Sequence, residues 1–444
     1  LIKKKPKNLI AVTGTNGKSS IANFYYQILT LNNKKAATIG TLGLHSKKIN
    51  FDLSNTTIDP IQLGQILKKL KNQKIENVIM EASSHGLEQN RLDGLTFNSA
   101  IFTNLSQDHL DYHKNLKDYL EAKLYLFRKL IKKKGDIITD SKIPEFVQIK
   151  KIAKKKSLKL NTIEDENGKF KILTHSFHDE SQILKIKYKN AIENIKLNLI
   201  GKIQIKNILM ALIAAEKSGL NLDKILRVIP SLKSVEGRFE KIGIIKNKSK
   251  VILDYAHTPD ALKTCLINLK EQFPEKKIIL LFGCGGNRDQ DKRYKMGKIA
   301  DTFSDKIYLT DDNPRFESPD KIRKDIKMGV KKTTVIEISD RAKAIDDAIK
   351  NLRTGDLLLV AGKGHEKVQD IGEQKIFFSD KKIILNSIKT KNITLSSNLK
   401  FNIIKEISGN KMVLPFKFNK ARINSREVKK DDIFFAIKGK KNDG

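Results

Sequence analysis

The sequence predicts an α/β protein made of two units, each built on a parallel sheet with helices on both faces. Short apolar runs typical of buried strands, such as residues 9–12 and 100–102, each stop at a polar or glycine-containing segment. Helical patterns separate these runs, and strands that alternate with helices form parallel sheets. A second series of the same kind begins after Gly237 and predicts the second unit.

Within the first unit, each element follows from its apolar spacing. The strand at 9–12 leads through a glycine turn into a helix near 21–25, and Leu63, Leu67 and Leu70 share one face of the next helix. The other predicted elements are strands at 78–80 and 100–102, a helix marked by Leu116, Leu120, Leu124 and Phe127, hairpins suggested by the alternation at 183–188, and a helix near 207–212.

The second unit is predicted from four apolar runs, at 251–253, 277–282, 306–309 and 357–360. Each is followed by a polar or Gly-rich segment, and ligands of parallel sheets collect beyond the carboxyl ends of the strands. We therefore expect domains with the bounds 1–232, 233–390 and 391–444, the last being a linker and the start of a further domain.

Composition limits the classes of function. The 444 residues carry a formal net charge of +36, but the lysines are spread over the whole chain, and there is no tryptophan. A basic nucleic-acid-binding protein is therefore only a remote alternative, and we expect no nucleic-acid partner. No apolar run approaches the ~20 residues that span a bilayer, so we expect a cytoplasmic monomer without a membrane partner. Cys265 and Cys284 are expected to be free thiols.

The turn after the first strand is a candidate phosphate-binding loop, with the sequence Gly-Thr-Asn-Gly-Lys-Ser at 14–19. Backbone N–H groups of such a loop and the following helix N-terminus hold phosphate, while Lys18 adds positive charge and Ser19 can bind Mg²⁺. The full P-loop pattern would place its first glycine at Val12, so a plain glycine turn is the alternative. We favour phosphate binding and an ATPase-type unit.

Polar residues also follow two other strands of this unit. Glu81 ends the strand at 78–80, where a carboxylate beside a phosphate loop suits Mg²⁺. An exposed Glu at a helix start is the alternative. Residues 103–113 place His109, His113 and two Asp after the next strand. We prefer magnesium with phosphate oxygens here, and zinc is the alternative, although no Cys is near.

Lys123 lies between Leu120 and Phe127 on one helix face, and this pattern alone favours a surface lysine whose stem packs on apolar neighbours.

In the second unit, Arg288 and Arg315 suit carboxylates, which guanidinium groups bind through two hydrogen bonds. Glu366 suits an ammonium group. An amino-acid substrate would use both kinds of residue.

Taken in order, these motifs resemble the Mur ligases, and among them the MurE branch. The matching segments are 13–19, 55–57, 81–87, 103–113, 122–127, 237–240, 254–260 and 312–315. The resemblance implies a P-loop ATPase domain followed by a Rossmann-like domain. It also implies an ATP-dependent ligase of peptidoglycan precursor synthesis that adds meso-diaminopimelate to UDP-N-acetylmuramoyl-L-alanyl-D-glutamate through an acyl phosphate.

The resemblance further implies roles for single residues. The residues expected to bind ATP are Gly14, Thr15, Asn16, Gly17, Lys18, Ser19, Ser20, Asn207, Arg238, Asp254 and His257. Those for two Mg²⁺ ions are Ser19, Glu81, His109 and a carbamylated Lys123, and the catalytic set is Lys18, Glu81, His109 and Lys123. Those for the UDP-muramoyl dipeptide are Thr56, Thr57, Ser83, Gln89 and Arg91, and those for diaminopimelate are Arg288, Asp312, Asn313, Arg315, Gly362 and Glu366.

Three features depart from the family pattern. Ile58 stands where the family often has Pro, and we expect the family's uridine-holding domain to be missing before Leu1. Residues 423–439 resemble the start of a MurF ligase, so we expect an internal piece of a MurE–MurF fusion. Because the uridine-holding domain is expected to be missing, we expect ATP binding but weak or no ligation. A simple C-terminal extension is the alternative for this tail. For the whole chain, the alternatives are a lysine-adding MurE and a folylpolyglutamate synthase-like ligase.

Overall fold

The computed structural model describes residues 5–163, 170–188, 191–407, 420–422, 424–430 and 432–434. Two large sheets organise this part of the chain, one with eleven strands and one with six. Within the same residues, no helix is both long enough and apolar enough to cross a bilayer. The two-sheet α/β architecture confirms the predicted fold class.

The eleven-stranded sheet has a parallel centre and antiparallel edges. Its strands are β1 (Asn8–Thr13), β2 (Ala36–Gly40), β3 (Gly43–Ser46), β4 (Asn50–Phe51), β5 (Asn77–Glu81), β6 (Phe97–Phe102), β7 (Ile131–Asp140), β8 (Lys159–Ile163), β9 (Phe170–His178), β10 (Ser181–Tyr188) and β11 (Ala191–Leu197). Their spatial order is β11-β10-β9-β8-β7-β6-β1-β5-β2-β3-β4. The hairpins predicted around 183–188 are present as the antiparallel β9–β10–β11 edge.

Within the described residues, seven α-helices belong to the first unit. They are α1 (Lys18–Leu31), α2 (Pro60–Asn72), α3 (Ser84–Glu88), α4 (Leu116–Tyr125), α5 (Phe146–Lys156), α6 (Ile203–Lys217) and α7 (Leu222–Val228). A π-helical turn, Leu126–Leu130, continues α4, and a 3-10 turn, Ile229–Ser231, follows α7. Such π-helical turns occur frequently at functional sites.

The six-stranded sheet forms the second unit. Its strands are β12 (Glu240–Ile244), β13 (Lys250–Asp254), β14 (Ile278–Phe282), β15 (Lys306–Leu309), β16 (Val335–Glu337) and β17 (Leu357–Ala361), in the order β12-β13-β17-β14-β15-β16. Its helices are α8 (Pro259–Gln272), α9 (Asp291–Phe303), α10 (Pro319–Lys327), α11 (Arg341–Lys350) and α12 (Asp380–Ile407). The hairpin β18 (Val368–Ile371) and β19 (Gln374–Phe377) follows β17, and a short pair, β20 (Ala421–Arg422) and β21 (Ile433–Phe434), lies in the tail.

Alternate residues of the central strand β1 belong to two different cores, as the two-residue period of a strand requires. Ile10 and Val12 pack in the core that α1 and α6 cover, whereas Leu9 and Ala11 pack in the core that α2 and α4 cover. Each fully buried Leu, Ile or Val contributes roughly 1.5–3 kcal/mol to folding. Burial on both faces therefore anchors β1 between the two helix layers.

The pairing of β1 with β5 and β6 brings the polar ends of these strands to one edge of the first sheet. Val12 pairs with Glu81, and Thr13 pairs with Phe102, so the loops after β1, β5 and β6 begin side by side. In the second sheet, Asp254 pairs with Ala361 in the same way. The carboxyl edges predicted to hold ligands are thus assembled by strand pairing.

The division into domains at 1–232, 233–390 and 391–444 stays a prediction. Helix α12 runs through residue 390 without a break. Much of the segment that resembles a second Mur ligase, including residues 423, 431 and 435–439, lies outside the described residues.

Candidate active site

The loop between β1 and α1 is shaped by two glycines with a positive φ, Gly14 at 136° and Gly17 at 90°. A Cβ on Gly14 would lie 1.9 Å from Oγ1 of Thr103, so no other residue fits without displacing the neighbouring strand end. The Thr15 N–H donates to the carbonyl oxygen of Asn104 at 2.9 Å, which ties the loop to the end of β6. The loop is therefore held against the chain that follows β6.

Lys18 lies across this loop and is held by it. Its Nζ donates to the carbonyl oxygens of Gly14 at 2.9 Å and Thr15 at 2.8 Å. Burial lowers the pKa of Lys18, while the negative charges of Glu81 and Asp108 raise it. The ammonium group thus lies within electrostatic range of the carboxylates that follow β5 and β6.

Lys123 is buried beside the same loop, with 1% of its surface exposed. Its Nζ donates to the carbonyl oxygen of Gly14 at 2.9 Å and lies 4.1 Å from the centre of the Tyr119 ring. Burial, reinforced by the charge of Lys18, holds the pKa of Lys123 well below its usual value. The surface-lysine interpretation is therefore wrong, because the helix face that carries Lys123 packs inward.

Glu81 is also buried, with 3% exposed, so the exposed-Glu alternative is wrong as well. The backbone N–H and the hydroxyl of Thr41 each donate to its carboxylate at 3.0 Å. The Thr41 hydroxyl in turn lies 3.0 Å from the hydroxyl of Thr56. Sequence reasoning missed Thr41, whose separation of 40 residues from Glu81 leaves no local signal.

The residues expected to meet the dipeptide form one hydrogen-bonded group beyond β5. The Thr57 hydroxyl donates to the carbonyl oxygen of Glu81 at 3.0 Å and accepts from the N–H of Ser83 at 2.9 Å. The Arg91 guanidinium donates to the carbonyl oxygen of Thr57 at 2.7 Å and also bonds to Gln89. All five expected residues therefore lie together or are linked through Glu81 and Thr41.

Three histidines cluster next to this group, as their positions after strand ends predicted. The ring centre of His85 lies 4.8 Å from that of His109 and 5.6 Å from that of His113. Burial lowers the pKa of His109 to about 4, although the charge of Asp108 opposes the shift. His109 is therefore neutral near pH 7. Tyr119 packs against both His109 and His113.

No three His, Cys, Asp or Glu side chains converge as a metal site within the part of the chain that the structure describes. The zinc alternative, which needs three or four protein ligands, gains no support from those residues. Mg²⁺ commonly takes only one or two protein carboxylates and completes its shell with water and phosphate oxygens. The buried carboxylate of Glu81 near Lys18 fits that smaller requirement.

A cleft between the two units is lined by residues expected to hold the nucleotide. Its lining includes Asn16, Gly17, Ser20, Asn207, Arg238, Asp254 and His257. The Arg238 guanidinium stacks 4.3 Å from the Tyr255 ring and donates to the Ser19 hydroxyl at 3.4 Å. The Asp254 carboxylate accepts from the N–H groups of Phe239 at 2.6 Å and Ala256 at 2.7 Å. Burial nevertheless raises the pKa of Asp254.

A second cleft joins the loop after β6 to the strand ends of the second unit. Its lining includes Asp108, His109, Asp111, Tyr255, His257, Arg288, Lys292, Asp312, Asn313, Arg315, Gly362 and Glu366. Arg288 donates to Asp111 at 3.0 Å, which is a contact between the two units. All six residues expected for diaminopimelate therefore border one cavity, and it opens toward the loop that carries His109.

Two residues that line this cavity have a backbone in the left-handed region. His109 and Arg315 adopt φ values of 54° and 52°, which are uncommon for residues with a side chain. Arg315 is held in this conformation by the β18–β19 hairpin, since its N–H donates to Asp370 and its carbonyl accepts from Gly372. The guanidinium of Arg315 then donates to the carbonyl oxygen of Gly286 at 2.8 Å.

Sequence reasoning did not single out Asp108, Tyr255 or Lys363 as site residues. Asp108 acts electrostatically on both His109 and His257, which come from different units. Tyr255 lies between the two clefts and contacts His257 and His365. Asp108 and Tyr255 stood within recognised motifs, so their position after a strand end was an available signal. The two cysteines are free and buried, as expected.

Comparison with known proteins extends these observations. The Mur ligase middle domain family matches residues 12–215, and the Mur ligase glutamate ligase domain family matches residues 237–364. A Rickettsia bellii protein named UDP-N-acetylmuramoyl-L-alanyl-D-glutamate–2,6-diaminopimelate ligase is 42% identical over 385 residues, which cover 86% of this chain and 80% of that protein. A Mesorhizobium japonicum protein of the same name is 39% identical over 378 residues, covering 85% of this chain and 77% of that protein.

Solved structures give the same fold. A structure of a UDP-N-acetylmuramoyl-L-alanyl-D-glutamate–2,6-diaminopimelate ligase matches with a TM-score of 0.63 and 32% identity, covering 87% of this chain and 79% of that one. A Mycobacterium tuberculosis folylpolyglutamate synthase complexed with ADP and AMPPCP reaches a TM-score of 0.65 at 15% identity, covering 81% of this chain and 89% of that one, and this shows the fold alone. With the fold, the phosphate loop and the sequence relatives in agreement, the chain belongs to the Mur ligase family.

Proposed function

We propose that this protein is an ATP-dependent amide ligase that joins 2,6-diaminopimelate to UDP-N-acetylmuramoyl-L-alanyl-D-glutamate in the synthesis of peptidoglycan precursors. The observation that carries the proposal is the pair of clefts that meet at Tyr255 and His257, one beside the phosphate loop and one beside Arg315 and Glu366. Relatives about 40% identical over most of the chain bear the corresponding name.

In the first step, an oxygen of the D-glutamyl carboxylate attacks the γ-phosphorus of ATP, and the bond from that phosphorus to ADP breaks. The products are an acyl phosphate and ADP. Lys18 and the N–H groups around Gly17 neutralise the phosphates, and little covalent chemistry is left to the protein. Asn207, Arg238 and Asp254 hold the nucleoside side of the cleft.

In the second step, the neutral amine of diaminopimelate attacks the acyl carbon, the nitrogen then releases a proton, and phosphate leaves from the tetrahedral intermediate to give the amide. Arg315 and Arg288 bind carboxylates, and Glu366 and Asp312 bind the ammonium group at the far end of the substrate. Fixing the substrate at that end brings its reacting amine to the acyl phosphate and supplies the reaction with a large effective concentration.

Mg²⁺ would be held by Ser19, Glu81 and His109, and it would neutralise charge on the transferring phosphoryl group. The depressed pKa of Lys123 fits a carbamate at that position, since a neutral amine is the form that reacts with CO₂. The carbamate would replace the hydrogen bond to the carbonyl oxygen of Gly14 and bring a negative charge beside Lys18.

The dipeptide end of the UDP-linked substrate would contact Thr56, Thr57, Ser83, Gln89 and Arg91. These residues surround the backbone on the carboxyl side of Glu81, so the glutamyl carboxylate arrives next to the phosphate loop. We place the reaction in the cytoplasm, with a monomeric enzyme and without a nucleic-acid partner.

The test is a ligation assay with the UDP-muramoyl dipeptide, ATP, Mg²⁺ and either meso-diaminopimelate or lysine. Mass spectrometry should detect the diaminopimelate product, with phosphate released only when all substrates are present. Preferential formation of the lysine product would replace the proposal with a lysine-adding ligase. Glutamate added to a folate in place of both reactions would assign the chain to the folylpolyglutamate synthases, whose fold it shares.

A further inference from the structure

Lys363 lies in the loop after β17 and is fully buried, although it carries a charge. Its Nζ lies 2.7 Å from Oδ1 of Asn313, 3.0 Å from Oε2 of Glu366 and 2.7 Å from the carbonyl oxygen of Val368. All three N–H groups of the ammonium therefore have an acceptor. Two of the three acceptors are side chains that line the proposed amino-acid cleft.

These contacts determine which way the amide of Asn313 faces. Its Oδ1 accepts from Lys363 and from the N–H of Asp370 at 3.1 Å, while its Nδ2 donates to Glu366 at 2.9 Å. In the opposite orientation, the NH₂ group would meet two donors and find no acceptor there. Lys363 therefore fixes Asn313 as a hydrogen-bond donor on the side of Glu366.

Lys363 also changes what Glu366 offers to a ligand. One carboxylate oxygen, Oε2, accepts from both Lys363 and Asn313. A carboxylate that is already paired with a buried ammonium attracts a second cation less strongly than a free one does. A substrate that offers only an ammonium group therefore gains little binding free energy from Glu366, unless another group of the same substrate is bound nearby.

We infer that Lys363 is a positioning residue that makes this site select an amino acid whose far end carries both an ammonium and a carboxylate group. Arg315, on the same cavity, supplies the partner for the carboxylate, and the partly neutralised Glu366 supplies the partner for the ammonium. Diaminopimelate has both groups at its far end, and lysine has only the ammonium. The inference rests on the proposed ligase function and adds the residue that sets its selectivity.

The experiment measures KM and kcat for meso-diaminopimelate, lysine and ATP in the unchanged protein and in Lys363→Met. The KM for diaminopimelate should rise by about tenfold or more, with the KM for ATP unchanged within about twofold. The ratio of kcat/KM for diaminopimelate to that for lysine should fall by about tenfold, because Glu366 loses its cationic partner while the neutral amide of Asn313 remains. An unchanged ratio and an unchanged KM for diaminopimelate would overturn the inference.

Two further variants separate positioning from folding. Lys363→Gln removes the charge but keeps N–H groups for Asn313, so it should show the same loss of selectivity even where Lys363→Met does not fold. Lys391→Met removes a lysine of the same unit that bonds to the carbonyl oxygens of Lys350 and Leu352, and the selectivity of this variant should not change. If the unchanged protein ligates neither amino acid, the proposed function fails; if it ligates diaminopimelate and Lys363→Gln keeps full selectivity, only this inference fails.

Discussion

The Nζ of Lys123 lies 2.9 Å from the carbonyl oxygen of Gly14, so a buried lysine of α4 is joined directly to the phosphate loop after β1. The two residues are 109 positions apart in the chain. Gly14 is also the acceptor for Lys18, which places two lysines on one carbonyl oxygen. Two neighbouring ammonium groups in a buried site stabilise a bound anion. They also repel each other, so the more deeply buried lysine is stabilised in its neutral amine form.

We expect Lys123→Ala to abolish ligation while leaving ATP binding within about threefold of the unchanged protein. The reason is that Lys123 contacts the loop carbonyl, whereas Lys18 and the loop N–H groups remain to hold the phosphates. Product formation by mass spectrometry and nucleotide binding by calorimetry measure the two effects. Added bicarbonate should not restore turnover, because no amine is left to react.

The matched control for this variant is Lys117→Ala, at an exposed position on the same helix. It should keep full turnover. Turnover by Lys123→Ala at the rate of this control would rule out both the contact with the loop and the carbamate as requirements for the reaction.

Gly14→Ala should lower ATP affinity by about a hundredfold or more. The added Cβ would lie 1.9 Å from Thr103 Oγ1 at a φ of 136°, so the loop must move away from β6. Gly355→Ala is the control, since Gly355 also has a positive φ, at 83°, but among the described residues, apart from Gly355 and its two chain neighbours, no atom lies within 4 Å of the added Cβ. Its cost should be limited to about 1 kcal/mol of stability, with ATP affinity unchanged. Equal ATP affinity in the two variants would contradict the fixed geometry of the loop.

Strand positions and strand-end residues were predictable from the sequence because they depend on local patterns. The run at 9–12 and the strands ending at Glu81 and Phe102 are buried on both faces, and parallel pairing then places their ends together. The antiparallel edge β2–β3–β4 was missed, since β3 and β4 are short and β4 is exposed.

Contacts between distant side chains were not predictable in the same way. The periodicity of α4 predicts on which face of the helix Lys123 lies, but it does not predict which part of the protein packs against that face. The bond from Thr41 to Glu81 and the three bonds of Lys363 depend on tertiary placement. Residue type and spacing indicate a carboxylate or a cation, whereas the partner that fixes its orientation appears only when the loops are assembled.

Lowering the pH should reduce the free energy of unfolding through the protonation of His365, in addition to the protonation of carboxylates. Burial lowers the pKa of His365 to about 3, with the charges of Arg238 and Lys367 acting in the same direction. Between about pH 3 and pH 6.5 the unfolded chain binds a proton that the folded protein excludes, so this residue makes stability rise with pH. The slope is at most about 1.4 kcal/mol per pH unit.

His365→Phe keeps a ring against Tyr255 and removes this titration. Relative to the unchanged protein, the variant should gain stability as the pH is lowered from about 6.5 toward 4, and denaturant unfolding at several pH values measures the difference. A stability difference that does not change with pH would show that His365 is not kept neutral by the fold.

The hairpin turn between β9 and β10 contacts Lys250 of the second unit, and this contact should stabilise the packing of the two units. The Nζ of Lys250 lies 2.8 Å from Glu180 and 3.2 Å from Asp179, and only 6% of its side chain is exposed. The nearby charges raise the pKa of Lys250 against the effect of burial. Gln272 of α8 donates to the carbonyl oxygen of Asp179 at 2.7 Å, which adds a second link.

Lys250→Met should therefore cost about 2 kcal/mol of unfolding free energy, since a hydrogen-bonded charge loses its partner. Glu180→Gln should cost less, because Glu180 is more exposed, and the double variant should cost less than the sum of the two, as contacting residues do. The exposed Lys270→Met on α8 is the control and should change stability by less than about 0.5 kcal/mol. Strict additivity of Lys250→Met and Glu180→Gln in denaturant unfolding would mean that this contact does not join the two units.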